Sequence, residues 1–232
     1  MKIYVIGNSN DLFLRFPEDG IRQKFFVNQS HEGDNIDELN PWYCELTGLY
    51  YLWKNEKDDI IGLEHYRRYF LSDDKSLLQE DEINETLKDN DIILRRFIYA
   101  DHYQRDGFSG IDSLGIMKQF IEFLYQIKEP EFAIYCLHLL KTSKEFGQCN
   151  MFIGKREVID KYCTWLFNTL NKADFEYFKE FKRLFGYFGE FMFFAWIKFN
   201  NYKYTWKKTV TLVASDFNKV GEITPGVENG TT

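Results

Sequence analysis

A pair of arginines follows a short apolar run near residue 60. Residues 60–63 are apolar or glycine, and five polar or aromatic residues come directly after them: Glu64, His65, Tyr66, Arg67 and Arg68. Guanidinium groups present planar forks of donors that match phosphate and carboxylate oxygens. The pattern predicts that Arg67 and Arg68 bind an anion. A surface cluster of ion pairs would explain the same residues, and the sequence leaves both interpretations open.

Four polar side chains surround the start of a predicted helix: Asp34, Asn35, Asn40 and Glu45. Asn40 with the proline after it is typical of a helix start, because Asn accepts amide hydrogen bonds at the N-cap and Pro suits the first helical position. Donors and acceptors at a helix N-terminus can also bind a ribose, a base edge or a sugar hydroxyl. Turn and capping chemistry explains the same residues without a ligand.

Glu190 is a single carboxylate before a long apolar stretch, residues 191–196. Burial raises the pKa of a carboxyl group towards the value that a general base needs at neutral pH. The alternative is an exposed residue at a helix start, where the helix dipole favours a negative charge. The sequence predicts a candidate base at this position and leaves that alternative open.

No metal centre is indicated by the spacing of the histidines. His65, His102 and His138 do not follow a pattern typical of metal ligands. The sequence also lacks Gly-x-Gly-x-x-Gly, a phosphate-binding P-loop and Gly-x-Ser-x-Gly, which argues against dinucleotide enzymes, ATPases and α/β-hydrolases. Its four cysteines form no Cys-x-x-Cys pair and are interpreted as free thiols.

The candidate residues need a scaffold in which strands alternate with helices. Alternating patterns predict strands at residues 2–6 and 202–213, and short apolar stretches predict strands at residues 60–63, 91–94 and 149–154. Helical patterns cover residues 40–55, 77–88, 112–142 with an interruption at 129–130, and two or three segments between 155 and 199. Residues 17–40 are predicted to form a long loop. The alternation predicts an α/β fold, in which ligands bind outside the carboxyl ends of the strands.

Composition limits the size of the fold and the class of partner. With 44% hydrophobic residues the chain can bury one sizeable core, so residues 1–214 are predicted to form a single domain and residues 215–232 a loose tail. A net charge of −7 argues against nucleic acid as a partner. Because no apolar run reaches the ~20 residues of a membrane span and the first residues do not resemble a signal peptide, we expect a cytoplasmic protein.

Several blocks of the sequence form a recognisable set. In the first third they are residues 33–36 with Asn40, then 43–50, 53–55, 62–63 and 65–70; later blocks are 150–153, 162–167 and 183–190. Together they resemble a bacterial family of small glycosyltransferase-like proteins encoded in capsule and exopolysaccharide gene clusters. The resemblance implies a GT-A-like nucleotide-diphosphosugar transferase fold, with a mostly parallel central sheet flanked by helices and a helical C-terminal part.

The resemblance also implies roles for the candidate residues. Many such enzymes carry Asp-x-Asp, which holds a divalent ion on the donor pyrophosphate, where this sequence has residues 65–67. Arginine forks can neutralise a leaving diphosphate without a metal. Arg67 and Arg68 are therefore expected to stabilise the leaving group and no cofactor to be required, with Mn²⁺ or Mg²⁺ as the alternative. Glu190 is the expected general base. The expected donor-binding residues are Asp34, Asn35, Asn40, Glu45, His65, Tyr66 and Asn150.

The activity implied by the resemblance is that of a hexosyltransferase with inverting chemistry. The expected donor is a UDP-sugar, for which galactose in pyranose or furanose form is one candidate. The expected acceptor is a lipid-linked glycan or a polysaccharide of capsule, exopolysaccharide or lipopolysaccharide biosynthesis, with peripheral contact with the inner membrane left open. A noncatalytic nucleotide- or glycan-binding module and a scaffold subunit of a polysaccharide assembly complex are the alternatives.

Overall fold

The structure, a computed structural model, describes residues 1–9, 19–98 and 113–212. Its strands are β1 (Lys2–Gly7), β2 (Arg22–Phe26), β3 (Ile60–His65), β4 (Arg68–Phe70), β5 (Ile92–Ile98), β6 (Glu145–Lys155), β7 (Tyr204–Lys207) and β8 (Thr209–Thr211). Its α-helices are α1 (Asn40–Tyr43), α2 (Leu46–Asn55), α3 (Glu80–Asp89), α4 (Ser113–Gln126), α5 (Pro130–Thr142), α6 (Arg156–Leu170), α7 (Phe175–Phe178) and α8 (Leu184–Phe199). The predicted α/β class is confirmed.

The central sheet is mixed. Its main order is β2-β1-β3-β6-β5-β7, and β4 extends from β3 to pair with β8. Strand β1 is parallel to β2 and β3, and β5 is parallel to β7, whereas β6 is antiparallel to both β3 and β5. The expectation of a mostly parallel sheet therefore holds only for part of it. Strands covered by helices on both faces show similar apolar runs in either direction, so the sequence did not reveal the reversal of β6.

Helices cover both faces of the sheet, and side chains alternate between them. On one face, α3 contributes Ile83 and Leu87 to a cluster with Ile93 and Ile153 of the inner strands. On the other face, α2, α6 and α8 enclose a larger cluster that includes Phe152. Successive residues of one strand thus serve two cores, as the period of two requires. The three layers hold the strand ends of the site rigidly.

The predicted helix over residues 40–55 is two helices. Cys44 has a φ of +51°, which ends α1 after one turn, and α2 begins at Leu46. Asn40 lies inside α1 with helical dihedrals and makes no side-chain cap, so its prediction as the N-cap is wrong. Pro41 occupies the first turn as expected. The break at Cys44 turns Glu45 towards the sheet, where a continuous helix would have presented a different face.

Two strands were missed from the sequence. Strand β2 lies inside the predicted loop over residues 17–40, and β4 begins at Arg68, the second arginine of the pair. Strand β2 lacks the apolar pattern of a buried strand because it contains a buried arginine, Arg22. Its Nε donates to Glu64 Oε2 at 2.7 Å, and its Nη2 donates to the carbonyl of Leu78 at 2.9 Å. The charge of a buried ion pair looks in the sequence like the polarity of a loop.

The remaining elements agree with the predictions apart from their ends. Strands β5 and β6 extend beyond the predicted 91–94 and 149–154, and the predicted last strand is divided into β7 and β8. Helices α4 and α5 are separated near Pro130, as predicted. His102 and the tail at residues 215–232 lie outside the described residues, so those predictions stay as they were made.

Candidate active site

The carboxyl ends of three parallel strands form the edge on which the site is built. Gly7 of β1 is in register with Phe26 of β2, and Ile6 with His65 of β3. The chain turns directly after His65 and returns as β4, whose first residue, Arg68, pairs with His65. Arg67 and Arg68 therefore lie outside the carboxyl end of β3, as predicted, whereas Glu64 and His65 are the last two residues of β3 itself, which extends beyond the predicted 60–63.

The turn between β3 and β4 presents the two arginines differently. Arg67 is exposed, and its guanidinium lies 5.5 Å from the centroid of the Tyr66 ring. Its carbonyl accepts a hydrogen bond from the amide of Leu212 at 2.7 Å, which fixes the turn. Arg68 is partly buried and lies within electrostatic range of Glu45 and Glu190. Of this pair, Arg68 is therefore the arginine directed at the carboxylates.

Glu190 lies deep in the first turns of α8 while keeping some contact with solvent. Its carboxylate accepts a hydrogen bond from the amide of Cys149. Burial raises the pKa of Glu190 to about 7, and the negative charge of Glu45 contributes in the same direction. The Cys149 amide, Arg68 and Arg95 oppose the rise. The exposed helix-start alternative is not what the structure shows, since Glu190 is surrounded by protein groups from several elements.

Glu45 is the second carboxylate of the site. It accepts a hydrogen bond from Asn150 Nδ2 at 2.7 Å and a further one from its own amide. Burial raises its pKa, while these hydrogen bonds and the charges of Arg183 and Arg68 oppose the rise. Because Asn150 donates to Glu45 and Arg183 and Arg68 face it, we take Glu45 to be the more readily ionised of the two carboxylates.

His65 is a neutral hydrogen-bond donor in this site. Its Nε2 donates to the carbonyl of Cys149, which fixes the tautomer and leaves Nδ1 as an acceptor. Burial lowers its pKa to about 3, and the positive charge of Arg68 adds to the effect. At neutral pH the ring carries no charge, so it can orient β6 or a ligand but cannot supply a cation for a phosphate.

Backbone strain is concentrated around the carboxylates. Seven non-glycine residues of the described chain have positive φ, and four of them border this site: Cys44, Cys149, Asn150 and Arg183. Left-handed conformations of such residues are costly and persist where surrounding structure enforces them, often at functional sites. The strain at residues 149–150 coincides with a register shift between β5 and β6. This distortion turns Asn150, expected at the mouth of its strand, into the site from the middle of β6.

The residues of the loop before α1 are used in local turns. Asp34 accepts a hydrogen bond from the Tyr50 hydroxyl at 2.9 Å, and Asn35 donates to the carbonyls of His31 and Gly33. The turn interpretation that the sequence left open explains these contacts. Asp34 and Asn35 are not part of the carboxylate cluster, and Asn40 is not either.

An open polar cavity of about 450 Å³ adjoins this loop, at the carboxyl end of β2. Its lining is Val27, Asn28, Gln29, Ser30, His31, Asn35, Asp37, Glu38, Asn40 and Pro41. The His31 ring stacks on Phe25 with centroids 4.0 Å apart, and Asp37 accepts a hydrogen bond from His31 Nδ1 at 3.0 Å. Two strand spacings, roughly 10 Å, separate this cavity from His65. No pattern in the sequence indicated the His31–Asp37 pair.

Two further arginines of the site were missed or left without a role. Arg183 donates to the Cys44 sulfur, lies within electrostatic range of Glu45 and lies over the Tyr187 ring. Arg95 is buried in β5 and donates to Thr209 Oγ1 at 3.2 Å. Arg95 belongs to a doublet, residues 95–96, that follows a predicted strand, and Arg183 is the first residue of the block 183–190 that carries the resemblance, but neither of them was assigned a role from the sequence. In the part of the chain that the structure describes, no group of three acidic, histidine or cysteine residues is arranged to hold a metal ion.

Comparison with solved structures identifies the architecture. The apo structure of WbbM, a bifunctional glycosyltransferase, superposes with a TM-score of 0.70 at 21% sequence identity, over 91% of this chain and 45% of that one. The predicted GT-A-like fold is thereby supported, while this chain spans less than half of that protein. No curated protein matches the sequence. None of the helices in the described ranges has the length and apolar character needed to cross a bilayer.

A family model supplies the identification by sequence. It matches residues 18–201, which include β2, both arginines of the turn, Asn150 and Glu190. Because this match covers most of the chain, the protein belongs to DUF4422, a family defined by a domain of unknown function.

Proposed function

We propose that this protein is a glycosyltransferase that moves a hexose from a UDP-sugar to a glycan acceptor with inversion. The observation that carries the proposal is Glu190, a carboxylate with a pKa of about 7 beside Arg68, at the strand edge where α/β folds bind ligands. The resemblance of the chain to a glycosyltransferase fold supports the same class.

Glu190 is the proposed general base. An inverting transfer passes through an oxocarbenium-like transition state and needs one carboxylate to take the proton of the acceptor hydroxyl. A base is most effective when its pKa lies near the working pH, and burial places Glu190 there. Its partial contact with solvent leaves room for an acceptor hydroxyl to approach.

Arg67 and Arg68 are the proposed partners of the leaving diphosphate. Breaking the sugar–phosphate bond increases the negative charge on the diphosphate, and fixed donors that meet this charge lower the barrier. Arg68 is held by β4 at the site, and the exposed Arg67 can close over a phosphate from the turn. We further propose that a divalent ion is dispensable; full activity in excess EDTA is expected, and loss restored by Mn²⁺ would contradict it.

The nucleoside is proposed to occupy the cavity at the carboxyl end of β2. Its polar lining offers donors and acceptors to a base and a ribose, including Asn35 and Asn40. The separation of roughly 10 Å from His65 is one that a nucleoside diphosphate can bridge. Asp34 supports the loop that lines this cavity by accepting a hydrogen bond from Tyr50. The donor sugar is then proposed to lie near Tyr66 and His65.

The acceptor and the pathway rest on the sequence resemblance. We propose a lipid-linked glycan or a polysaccharide of capsule, exopolysaccharide or lipopolysaccharide biosynthesis, with UDP-galactose as the first donor to test. A cytoplasmic location with peripheral contact with the inner membrane would suit a lipid-linked acceptor, and no nucleic acid partner is proposed.

Calorimetry and a turnover assay test the function. UDP should bind, and UDP-galactose or another UDP-hexose should be hydrolysed slowly or transferred to a glycan acceptor. The variant Glu190→Gln should bind UDP normally and lose transfer. Binding of UDP without turnover of any donor would favour a noncatalytic module, and failure to bind any nucleotide would contradict the proposal altogether.

A further inference from the structure

Two consecutive residues of β6 hold the two carboxylates of the site. The amide of Cys149 donates to Glu190, and the side-chain amide of Asn150 donates to Glu45 Oε1 at 2.7 Å. Both residues have positive φ, 65° and 50° respectively. These two strained residues therefore fix the carboxylates relative to each other, although Glu45 lies at the start of α2 and Glu190 in the second turn of α8.

The side-chain amide nitrogen of Asn150 is engaged within the protein. Its Nδ2 donates to Glu45 and, at 3.2 Å, to the carbonyl of Gly186 in the first turn of α8. Both amide protons are used, and Asn150 is only 2% exposed. The remaining Oδ1 is buried without a hydrogen-bond partner in the described structure. These contacts fit a bridge between α2 and α8 better than the donor-sugar contact expected from the sequence.

The charged groups that face the pair come from several elements. Arg68 of β4 faces both carboxylates. Arg95 of β5 faces Glu190, and Arg183, next to α8, faces Glu45. The other titratable neighbours, Cys44, Cys149 and Tyr187, have pKa values raised by burial and are neutral at physiological pH.

We propose that Glu45 and Asn150 are positioning residues for Glu190, and that the two carboxylates share a single proton in the resting enzyme. Asn150 holds Glu45 ionised, and the negative charge of Glu45 favours the protonated form of Glu190. Two carboxylates that interact in this way lose their protons in two separate steps. This inference rests on the proposed role of Glu190 as base and assigns Glu45 and Asn150 to proton control instead of donor binding.

The arrangement has a functional consequence for a substrate with a diphosphate. Arg68 faces both carboxylates, so a diphosphate that binds Arg68 withdraws part of the positive charge that opposes the protonation of Glu190. Glu190 then becomes a stronger base in the presence of donor than in its absence. Donor binding and the proton affinity of Glu190 are thus coupled through Arg68, and the pKa of Glu190 should be higher with the donor bound than without it.

Infrared titration tests the pair without requiring activity. The difference between wild type and Glu190→Gln isolates the carboxyl band of Glu190, whose midpoint is expected at about pH 7. In a Glu45→Gln background the midpoint should fall by roughly one pH unit, since a like charge is removed, and should stay above 4.5 because burial remains. The exposed Glu32→Gln serves as the matched control and should leave the midpoint unchanged.

Asn150→Gly tests the bridge while preserving the backbone. Glycine adopts the positive φ of this position without strain, so loss of folding is not expected. Loss of the hydrogen bond from Asn150 should raise the midpoint of Glu45. The Glu45 band is isolated by subtracting the spectrum of the double variant Asn150→Gly, Glu45→Gln from that of Asn150→Gly alone. An unchanged midpoint of Glu190 in the Glu45→Gln background, or of Glu45 in Asn150→Gly, would overturn the proposal.

A kinetic measurement separates proton control from donor binding. With UDP-galactose hydrolysis as the probe, Glu45→Gln should move the acid limb of the plot of kcat against pH to lower pH by about one pH unit, as in the infrared titration. The same variant should change the donor KM by less than about twofold. A tenfold rise in KM with an unmoved acid limb would make Glu45 a donor ligand and refute the inference. If no donor is turned over but the infrared midpoints shift, the carboxylate pair stands and the proposed function fails.

Discussion

Replacing Glu190 by Gln should increase the stability of the protein at high pH while abolishing its activity. The pKa of Glu190 is raised from the ordinary 4.5 to about 7, and each pKa unit corresponds to about 1.4 kcal/mol. The ionised side chain therefore costs the folded state about 3 kcal/mol above pH 7. Glutamine keeps the shape and still accepts from the Cys149 amide, but it carries no charge.

The sign of the pH dependence follows from the raised pKa. Between pH 4.5 and pH 7 the unfolded chain releases the proton of Glu190 while the folded chain retains it, so wild-type stability falls as pH rises. Below pH 4.5 the carboxyl is protonated in both states, and its contribution to the pH dependence disappears. The difference in unfolding free energy between Glu190→Gln and wild type should thus rise by about 3 kcal/mol across this window.

Urea denaturation at a series of pH values from 4 to 8.5 measures this difference, provided that the transitions are two-state. The exposed Glu122→Gln on α4 is the control, and its difference from wild type should stay within about 0.5 kcal/mol at all pH values. A flat difference for Glu190→Gln would show that Glu190 ionises near its ordinary pKa. The general-base assignment would then lose its physical basis.

Three further predictions concern other residues. Arg68→Ala should lower kcat by roughly 10²-fold with little change in stability, measured as donor turnover; an unchanged kcat would remove Arg68 from the leaving-group site. Gly62→Ala should lower the free energy of unfolding, measured by urea denaturation, by about 1–3 kcal/mol, because the alanine methyl group would lie 2.9 Å from the carbonyl oxygen of Phe152. An unchanged free energy of unfolding would show that β3 and β6 can move apart to make room. Arg22→Met should cost about 3–5 kcal/mol, since Glu64 would stay buried without its partner, and Arg22→Met with Glu64→Gln should recover part of that loss; equal stability of the single and double variants would contradict this interpretation.

The features that the sequence predicted correctly are those that the periodicity and residue types of a short segment determine. Strand β3 and the arginines after it were found because a buried apolar run ended in guanidinium groups. The helix break at Cys44 was not found, because nothing in the local pattern distinguishes a strained left-handed residue from a helical one. Arg22 falls within the predicted loop, since its partner Glu64 is 42 residues away. Long-range pairing of this kind leaves no local signal.

The candidate site was predicted in composition and only partly in arrangement. Glu190 and Arg68 lie together as the proposed chemistry requires, but the joint role of Glu45 and Asn150 depends on their contact across 105 residues of sequence. Arg183 has a positive φ at the start of α8, and the sequence around it does not reveal this backbone conformation. These features arise from how β6, α2 and α8 meet, which spacing along the chain does not encode.

The pairing of β8 with β4 makes the arginine turn dependent on one of the last described parts of the chain. Thr211 is in register with Arg68, and the amide of Leu212 holds the carbonyl of Arg67. During synthesis on the ribosome, strands β1 to β3 can assemble long before these residues leave the exit tunnel. The arginine turn therefore acquires these backbone partners only after residues 211 and 212 have been synthesised.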